Sequence, residues 1–339
     1  MERVPGAKLK KGHIPTGEDA AMHSLLCALI VFVAVGIGVW LVSFLVEALR
    51  PKPKTPAKLS WAPAIPIETV EVGGNKLRYI KTGKGPVLVL LHTLRTQLDL
   101  FQKIVPKLSK HFTVYAFDYP GHGYSDIPAG RYDAAFFTAA VEGFLDKLNL
   151  RDVTLAGVSI GGSLALLLAA RHNPRVARVI AINPYDYAKG RGLARGGPAA
   201  WLLTHASLLP FIGETFTRLR NSIVAGAAFR GAVADPDGIP PALAKEMYLV
   251  GNRPGHYQAF LSLLRNGASW EAAAEDYRRI EIPVLLVWGD HDWARKEERE
   301  HDRALIPGVE MVTVEKGGHF LPLDRPRELT ELIVRFAGA

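Results

Sequence analysis

The stretch "AGVSIGGSLALLLAARHNP", residues 156–174, sets one serine between glycines where an apolar run gives way to a helical pattern. With the residues before it, this stretch predicts a buried strand over 153–159 followed by a helix. The G-x-S-x-G pattern at 157–161 marks a turn so sharp that larger side chains two residues either side of Ser159 would collide. Such a turn would expose the hydroxyl of Ser159 at the end of a helix whose backbone N–H groups can stabilise an oxyanion.

A serine nucleophile at neutral pH needs a general base and an acid that orients it. Two later stretches supply candidates, "VWGDHDWARK" after one predicted strand and "EKGGHFLPLDRP" after the last. We interpret His319 as the base and Asp292, in the loop beyond its strand, as the acid. Asp290, which directly follows Gly289, remains an alternative acid, and Asp186 is a more remote one.

From Ile67 the chain alternates between strand and helix patterns, with a hairpin at 67–83 whose turn contains two glycines and an asparagine. A helix is predicted over 133–148, and another over 96–110 that Pro106 would kink or end. Further strands are predicted at 86–92, 112–119, 153–159, 178–184, 283–290 and 309–319. Repeated apolar strands separated by helices indicate a mostly parallel sheet that is covered on both faces.

Four ordered motifs, "GVSIGG", "DYPGHGYSD" (118–126), "WGDHD" and "GGHFLPLDRP", make residues 67 to 337 resemble the α/β-hydrolase superfamily, in its branch of lipases, esterases and carbon-carbon hydrolases. The resemblance implies an α/β-hydrolase fold with a catalytic triad of Ser159, Asp292 and His319.

The same resemblance implies an oxyanion hole formed by the backbone N–H groups of Ile160 and Leu94. Relatives usually carry His-Gly before the second donor, whereas this chain has "HTLRTQ", so Thr93 replaces the glycine. Arg95 adds a charge beside the expected pocket, which would either recognise an acidic group on the substrate or form a surface salt bridge. His122 in "PGHG" is expected to stabilise its loop.

The segment "SLLCALIVFVAVGIGVWLVSFLV", residues 24–46, contains no charged side chain. As a helix it would extend about 34 Å, enough to cross a hydrocarbon core of about 30 Å. A cleaved signal peptide is the competing interpretation, but such peptides have shorter apolar regions and end in small residues, whereas this run ends in "VEALRPKPK". Basic residues flank both ends, so the side of the membrane on which the C-terminal domain lies stays open.

These patterns predict the following organisation. The interval 188–280 is too long for a bare connection and lies where the superfamily often inserts a helical cap. The predicted segments are an N-terminal tail (1–23), a transmembrane helix (24–46), a Pro/Lys-rich linker (47–66), an α/β-hydrolase core (67–187 and 281–339) and a helical cap (188–280).

The formal net charge of +8 does not indicate a nucleic-acid partner, because eight basic and four acidic side chains within residues 1–58 account for half of it. The single cysteine, Cys27, excludes an intrachain disulfide and is expected to be an apolar filler. No H-E-x-x-H pattern and no phosphate-binding G-x-x-x-x-G-K-S or T loop is present, so neither a metal nor another cofactor is expected.

The sequence therefore predicts a single-pass, membrane-anchored serine hydrolase that cleaves carboxylic esters through an acyl-enzyme on Ser159. Its expected partners are membrane lipid and a small, apolar or lipid-like ester. Two alternatives remain open. One is a carbon-carbon hydrolase or lyase, or a cofactor-free haloperoxidase, that uses the same triad. The other is a catalytically silent binding protein on this fold.

Overall fold

The computed structural model describes residues 17–338, with side chains from residue 21 on, so most of the predicted tail 1–23 lies outside the described residues. Eight strands form one sheet in the order β1-β2-β4-β3-β5-β6-β7-β8. Both β1–β2 and β2–β4 pair antiparallel and all other neighbours pair parallel. The predicted mostly parallel sheet is confirmed. The strands are β1 (Ile67–Val72), β2 (Asn75–Thr82), β3 (Val87–Leu91), β4 (Thr113–Phe117), β5 (Val153–Val158), β6 (Val176–Ile182), β7 (Val284–Gly289) and β8 (Glu310–Val314).

Thirteen α-helices accompany the sheet in the described part of the chain, together with four short 3-10 helices. The α-helices are α1 (Gly17–Ala48), α2 (Val105–Leu108), α3 (Ala134–Lys147), α4 (Ile160–Ala170), α5 (Pro198–Leu208), α6 (Ile212–Arg218), α7 (Ser222–Arg230), α8 (Pro241–Val250), α9 (His256–Arg265), α10 (Ala268–Ala274), α11 (Lys296–Leu305), α12 (Leu321–Asp324) and α13 (Pro326–Ala337). Six of them, α5 to α10, lie between β6 and β7, in the interval for which a cap is predicted.

The centre of the fold is the β5–α4 unit that contains the serine turn. Every residue of both β5 and α4 is buried, which agrees with their apolar composition on all sides. A helix that is apolar all round must be covered on all sides, and α4 packs against β5, β6 and α3. The turn between them is therefore held by the most enclosed part of the molecule.

The helix predicted over 96–110, with a kink or end at Pro106, forms as two separate short helices. The chain forms a 3-10 helix at Leu98–Phe101 and then the four-residue α2, which begins at Val105. Pro106 has no N–H to donate and its ring clashes with the preceding turn, so it fits only in the first turn of a helix. Helix α2 therefore begins one residue before Pro106, which lies in its first turn.

Helix α1 contains a span, Ala21–Ala48, that is long and apolar enough to cross a membrane. Its C-terminal end packs against α6. The guanidinium of Arg218 lies 3.8 Å from the centre of the Phe44 ring and donates to Ser43 Oγ at 2.9 Å. Glu47 forms an ion pair of 2.6 Å with Arg220. The apolar helix is thus joined to the segment between β6 and β7 by both ring and charge contacts.

Candidate active site

Ser159 lies at the turn between β5 and α4, with a backbone φ of 59° and ψ of −121°. This is a strained conformation for a residue with a side chain. The flanking glycines are sterically required, since a Cβ on Gly157 would lie 2.0 Å from the Gly161 carbonyl oxygen and one on Gly161 would lie 2.3 Å from that of Leu91. The Ser159 N–H donates to the Ile182 carbonyl at 2.8 Å, which fixes the turn to the end of β6.

His319 and Asp292 meet at the ends of β8 and β7. Nδ1 of His319 lies 2.5 Å from Oδ2 of Asp292, and both side chains are almost completely buried. The other oxygen of Asp292 accepts from the Ala294 N–H at 2.8 Å. With Nδ1 committed to the carboxylate, Nε2 of His319 is the nitrogen available to accept a proton.

Trp293 holds the ring of His319 on one face. The two rings stack with centroids 3.8 Å apart and planes 15° apart. The indole N–H donates to the Gly231 carbonyl at 2.9 Å, so the tryptophan is itself fixed to the end of α7. The imidazole therefore has its position set by a carboxylate at one edge and an indole on one face.

Three polar atoms on the candidate site residues are buried without a hydrogen-bond partner among the described residues: Oγ of Ser159, Oγ1 of Thr93 and Nε2 of His319. Leaving a buried polar atom unpaired costs about 1–3 kcal/mol, and such atoms in a native fold call for a functional explanation. A hydroxyl and an imidazole nitrogen are the two groups that a nucleophile and its general base must keep available.

The two alternative acids have other partners. Asp290 is hydrogen-bonded to His291 at 2.6 Å and to the Gly317 N–H at 3.0 Å. Partial desolvation opposes ionisation of its carboxyl, but the hydrogen bonds from His291 and from the backbone lower its pKa to about 2. Asp186 accepts from Tyr277 Oη at 2.7 Å and Ser163 Oγ at 3.3 Å. Of the three aspartates, the structure brings Asp292 to His319.

Asn183, at the carboxyl end of β6, is a positioning residue that the sequence analysis missed. Its Nδ2 donates to the carbonyls of Gly318 (3.0 Å) and His319 (3.1 Å), and its Oδ1 accepts from the Gly289 N–H at 2.8 Å. Its own N–H donates to the Val287 carbonyl at 2.8 Å. The preceding residue, Ile182, accepts the hydrogen bond from the Ser159 N–H. Asn183 therefore links the serine turn to the loop that contains His319. The available signal was an asparagine directly after a buried strand.

The loop that follows β3 lies close to the start of α4. The approach is so close that a Cβ added to Gly161 would lie 2.7 Å from the His92 carbonyl oxygen. Burial lowers the pKa of His92 to about 3, so the ring is neutral. Its Nδ1 donates to the Thr93 carbonyl at 2.8 Å and its Nε2 accepts from the Tyr119 N–H at 3.1 Å. Thr93 is outside the left-handed region, so the residue that replaces the usual glycine imposes no strain of that kind.

Thr93, Leu94 and His319 line one enclosed cavity of about 30 Å³. The structure thus places the predicted donor loop and the predicted base on the walls of the same space. Within the described residues, no group of three or more His, Cys, Asp or Glu side chains is arranged to hold a metal ion.

The sequence model of the family described as "alpha/beta hydrolase fold" matches residues 86–326, more than half of the chain. The chain belongs to the alpha/beta hydrolase family. Carboxylesterase YbfK of Bacillus subtilis is 25% identical to this hydrolase over 74% of this chain and 80% of its own. The 2-hydroxy-6-oxo-2,4-heptadienoate hydrolase of Pseudomonas putida is 27% identical over 80% and 95% of the two chains.

Among solved structures, a bacterial membrane phospholipase A has the same fold as this hydrolase, with a TM-score of 0.66 and 24% identity. The likeness covers 93% of this chain and 98% of the other. The family model matches this chain from residue 86 on. The structural match to the phospholipase covers 93% of this chain, so it also includes part of the segment before β1.

Proposed function

We propose that this protein is a membrane-anchored serine hydrolase that cleaves carboxylic esters of apolar or lipid-like substrates through an acyl-enzyme on Ser159. The observation that carries the proposal is the buried pair of Asp292 and His319 at 2.5 Å, together with the unpaired Oγ of Ser159 at its glycine-flanked turn. The identity to a carboxylesterase over 74% of the chain supports the ester class.

In the proposed reaction, Nε2 of His319 accepts the proton of the Ser159 hydroxyl as Oγ attacks the ester carbonyl. The Asp292 carboxylate stabilises the resulting imidazolium and holds its Nδ1–H. The backbone N–H groups of Ile160 and Leu94 stabilise the oxyanion. The imidazolium then protonates the departing alcohol. Water hydrolyses the acyl-enzyme by the same route, which returns the proton to Ser159.

The surface of the cap interval supports a membrane location. In the described part of the chain, exposed large apolar side chains occur on α1 and the residue after it, and otherwise only between residues 201 and 223. The latter are Trp201, Leu202, Leu209, Phe211, Ile212 and Ile223. Large apolar side chains exposed within one segment form an apolar patch that suits a protein or membrane contact. Since α6 packs on the end of α1, the patch and the apolar helix would meet one bilayer together.

Cavities along the same side support an apolar substrate. A groove between α1 and α6 is lined by Trp40 and Phe216, among others, and Phe216 also lines an enclosed cavity of about 180 Å³. That cavity shares Phe229 and Phe260 with the small cavity beside His319. Largely apolar walls, which also contain Arg95 and Arg220, thus extend from α1 to His319. Each buried methylene of a substrate contributes about 0.8 kcal/mol.

The decisive experiment is fluorophosphonate labelling of the full-length protein in isolated membranes that have been washed with high salt. Salt screens charge attraction but does not release a helix inserted in hydrocarbon, so the labelled band is expected to stay in the membrane pellet. Ser159→Ala should abolish the label and lower ester turnover by about 10⁶-fold, the size of effect seen for the serine of subtilisin.

The matched control is Ser60→Ala, since Ser60 is exposed and precedes β1. This variant is expected to label like the unmodified protein. Persistent labelling of Ser159→Ala would exclude Ser159 as the nucleophile, and recovery of the protein in the salt wash would exclude the membrane anchor. A folded protein without label or turnover would favour a binding protein.

Cleavage of carbon-carbon bonds is the second candidate, because the Pseudomonas putida hydrolase aligns over 95% of its own length. The two functions differ in the group expelled from the tetrahedral intermediate, an alkoxide in one case and a carbanion equivalent in the other. Parallel assays with an ester and with a vinylogous 1,5-diketone of equal size distinguish them by which substrate is turned over.

A further inference from the structure

Arg95 directly follows Leu94, the proposed oxyanion donor, and its backbone is strained. Its φ of 62° lies in the left-handed region, which a residue with a side chain adopts at a cost. Glycine or asparagine would adopt this conformation more easily. A charged side chain at such a position is therefore a feature to be explained.

Among the side chains that the structure describes, Arg95 has no acidic partner. Its Nη1 donates to Nδ1 of His256 at 3.0 Å, and its guanidinium lies 5.3 Å from the centre of the Phe260 ring. No described carboxylate lies within ion-pair distance of Arg95. Burial and the nearby charge of Arg95 lower the pKa of His256 well below its usual value, so that ring is neutral. The surface salt bridge expected as one role for Arg95 does not form within residues 21–338.

The surroundings add positive charge. We define the arginine cluster as Arg50, Arg95, Arg218 and Arg220. In the described residues, its ion-pair partner is Glu47, which lies 3.2 Å from Arg50 and 2.6 Å from Arg220. Burial, together with the charge of Arg220, lowers the pKa of Arg95 to about 9, so it remains charged at neutral pH. Arg95 is partly buried, and placing a cation there without an anion carries a cost that a bound anion would offset.

Arg95 lines two cavities. One is the cavity of about 30 Å³ that contains His319, and the other is the apolar cavity of about 180 Å³, which Arg220 also lines. The guanidinium therefore lies in the wall between the proposed site of ester cleavage and the space for an apolar chain. A guanidinium has five N–H donors, of which His256 occupies one, and it matches the planar oxygens of carboxylates and phosphates.

We propose that Arg95, supported by Arg220, forms an anion subsite that binds a carboxylate or phosphate located a few bonds from the scissile ester. This inference rests on the proposed ester hydrolase and deepens it, because it makes the substrate an anionic amphiphile. The anion would contact Arg95 while the acyl chain occupies the apolar cavity. A charge-assisted hydrogen bond formed here contributes enough to change specificity by about 10 to 100-fold.

The test compares two pairs of esters with the full-length protein in nonionic micelles. The soluble pair is mono-(4-nitrophenyl) glutarate and 4-nitrophenyl valerate. The lipid pair is 1-oleoyl lysophosphatidic acid and 1-oleoylglycerol, which share the scissile ester and differ in the phosphate. We expect the anionic member of at least one pair to be favoured in kcat/KM by at least tenfold. The pair that shows the preference identifies a soluble or a lipid source of the anion.

Arg95→Gln should lower that preference at least tenfold, whereas Arg95→Lys should retain part of it. Arg327→Gln is the control, because Arg327 is 76% exposed and pairs with Glu331 on α13, so the preference should not change. Faster cleavage of the neutral member in both pairs, or an anion preference that survives in Arg95→Gln, would overturn the subsite.

A competition assay with the unmodified protein tests the anion subsite without depending on how the variants fold. Dodecyl phosphate should inhibit hydrolysis of 4-nitrophenyl valerate at least tenfold more strongly than dodecanol, and equal inhibition would overturn the subsite. Calorimetric titration separates the two proposals. If no ester is cleaved but Arg95→Gln weakens dodecyl phosphate binding, the subsite stands and the ester hydrolase assignment fails.

Discussion

His319 and Arg95 line the same small cavity, but their charges are balanced in different ways. His319 has a buried carboxylate partner, Asp292, at 2.5 Å, and an imidazolium formed there is neutralised within the protein. Arg95 has a neutral imidazole and an aromatic ring as neighbours. The comparison indicates that His319 has its charged partner within the folded chain, whereas Arg95 has no acidic partner among the described residues.

The largest expected effect on activity comes from removing the carboxylate that pairs with His319. Asp292→Asn should lower kcat for 4-nitrophenyl valerate by about 10⁴-fold, because the imidazolium loses its anion and the histidine its correct tautomer. Asp290→Asn is the matched control, since that residue is hydrogen-bonded to His291 and Gly317, and its kcat should change by less than about threefold. A reversed order of the two variants would assign the acid to Asp290.

A smaller effect on kcat is expected when Asp292 and His319 are kept and the ring that stacks on His319 is removed. Trp293→Leu removes the ring that stacks on His319 at 3.8 Å and the hydrogen bond to Gly231. Misplacement of a catalytic group by about 1 Å can cost about 100-fold, so we expect kcat to fall by about 10 to 100-fold. The rate of fluorophosphonate labelling should fall in parallel and KM should change little. A change in KM alone would mean that Trp293 only binds substrate.

The smallest effect is expected on thermal stability, when the one acidic partner of the arginine cluster among the described residues is removed. Glu47→Gln removes the acid that pairs with Arg50 and Arg220, which leaves two partly buried guanidinium groups unpaired. We expect Tm in nonionic micelles to fall by about 2–4 °C. The control is Glu331→Gln, whose exposed pair with Arg327 at 3.5 Å should contribute almost nothing. An equal loss in both variants would show that Glu47 has no special role in the cluster.

Much of the fold could be predicted because local patterns determine it. Apolar runs of five to seven residues separated by helical patterns predicted the parallel strands, and the glycines around Ser159 indicated the serine turn. Over 96–110 the steric constraint of Pro106 was expected to kink or end a helix, but the apolar periodicity did not show that the chain forms two separate short helices there. Periodicity reports which face is buried and does not test whether every residue can take helical geometry.

The pairing of side chains at the site was harder to predict than their identity. Asp290 and Asp292 are two residues apart in one loop, and the choice between them depends on the path of the backbone after β7. The role of Asn183 depends on contacts with residues more than 100 positions away. The lack of an acidic partner for Arg95 depends equally on long-range packing, since His256 is 161 positions away. A single sequence contains no direct record of such contacts.

The left-handed backbone of Arg95 has a consequence for how this position can evolve. Glycine or asparagine would relieve the strain at φ 62° but would remove the charge, whereas other side chains would keep the strain and lose the guanidinium. Selection on folding and selection on anion binding therefore favour different residues here. Lineages that retain an anionic substrate should conserve arginine, and lineages that have lost it should drift to glycine or asparagine.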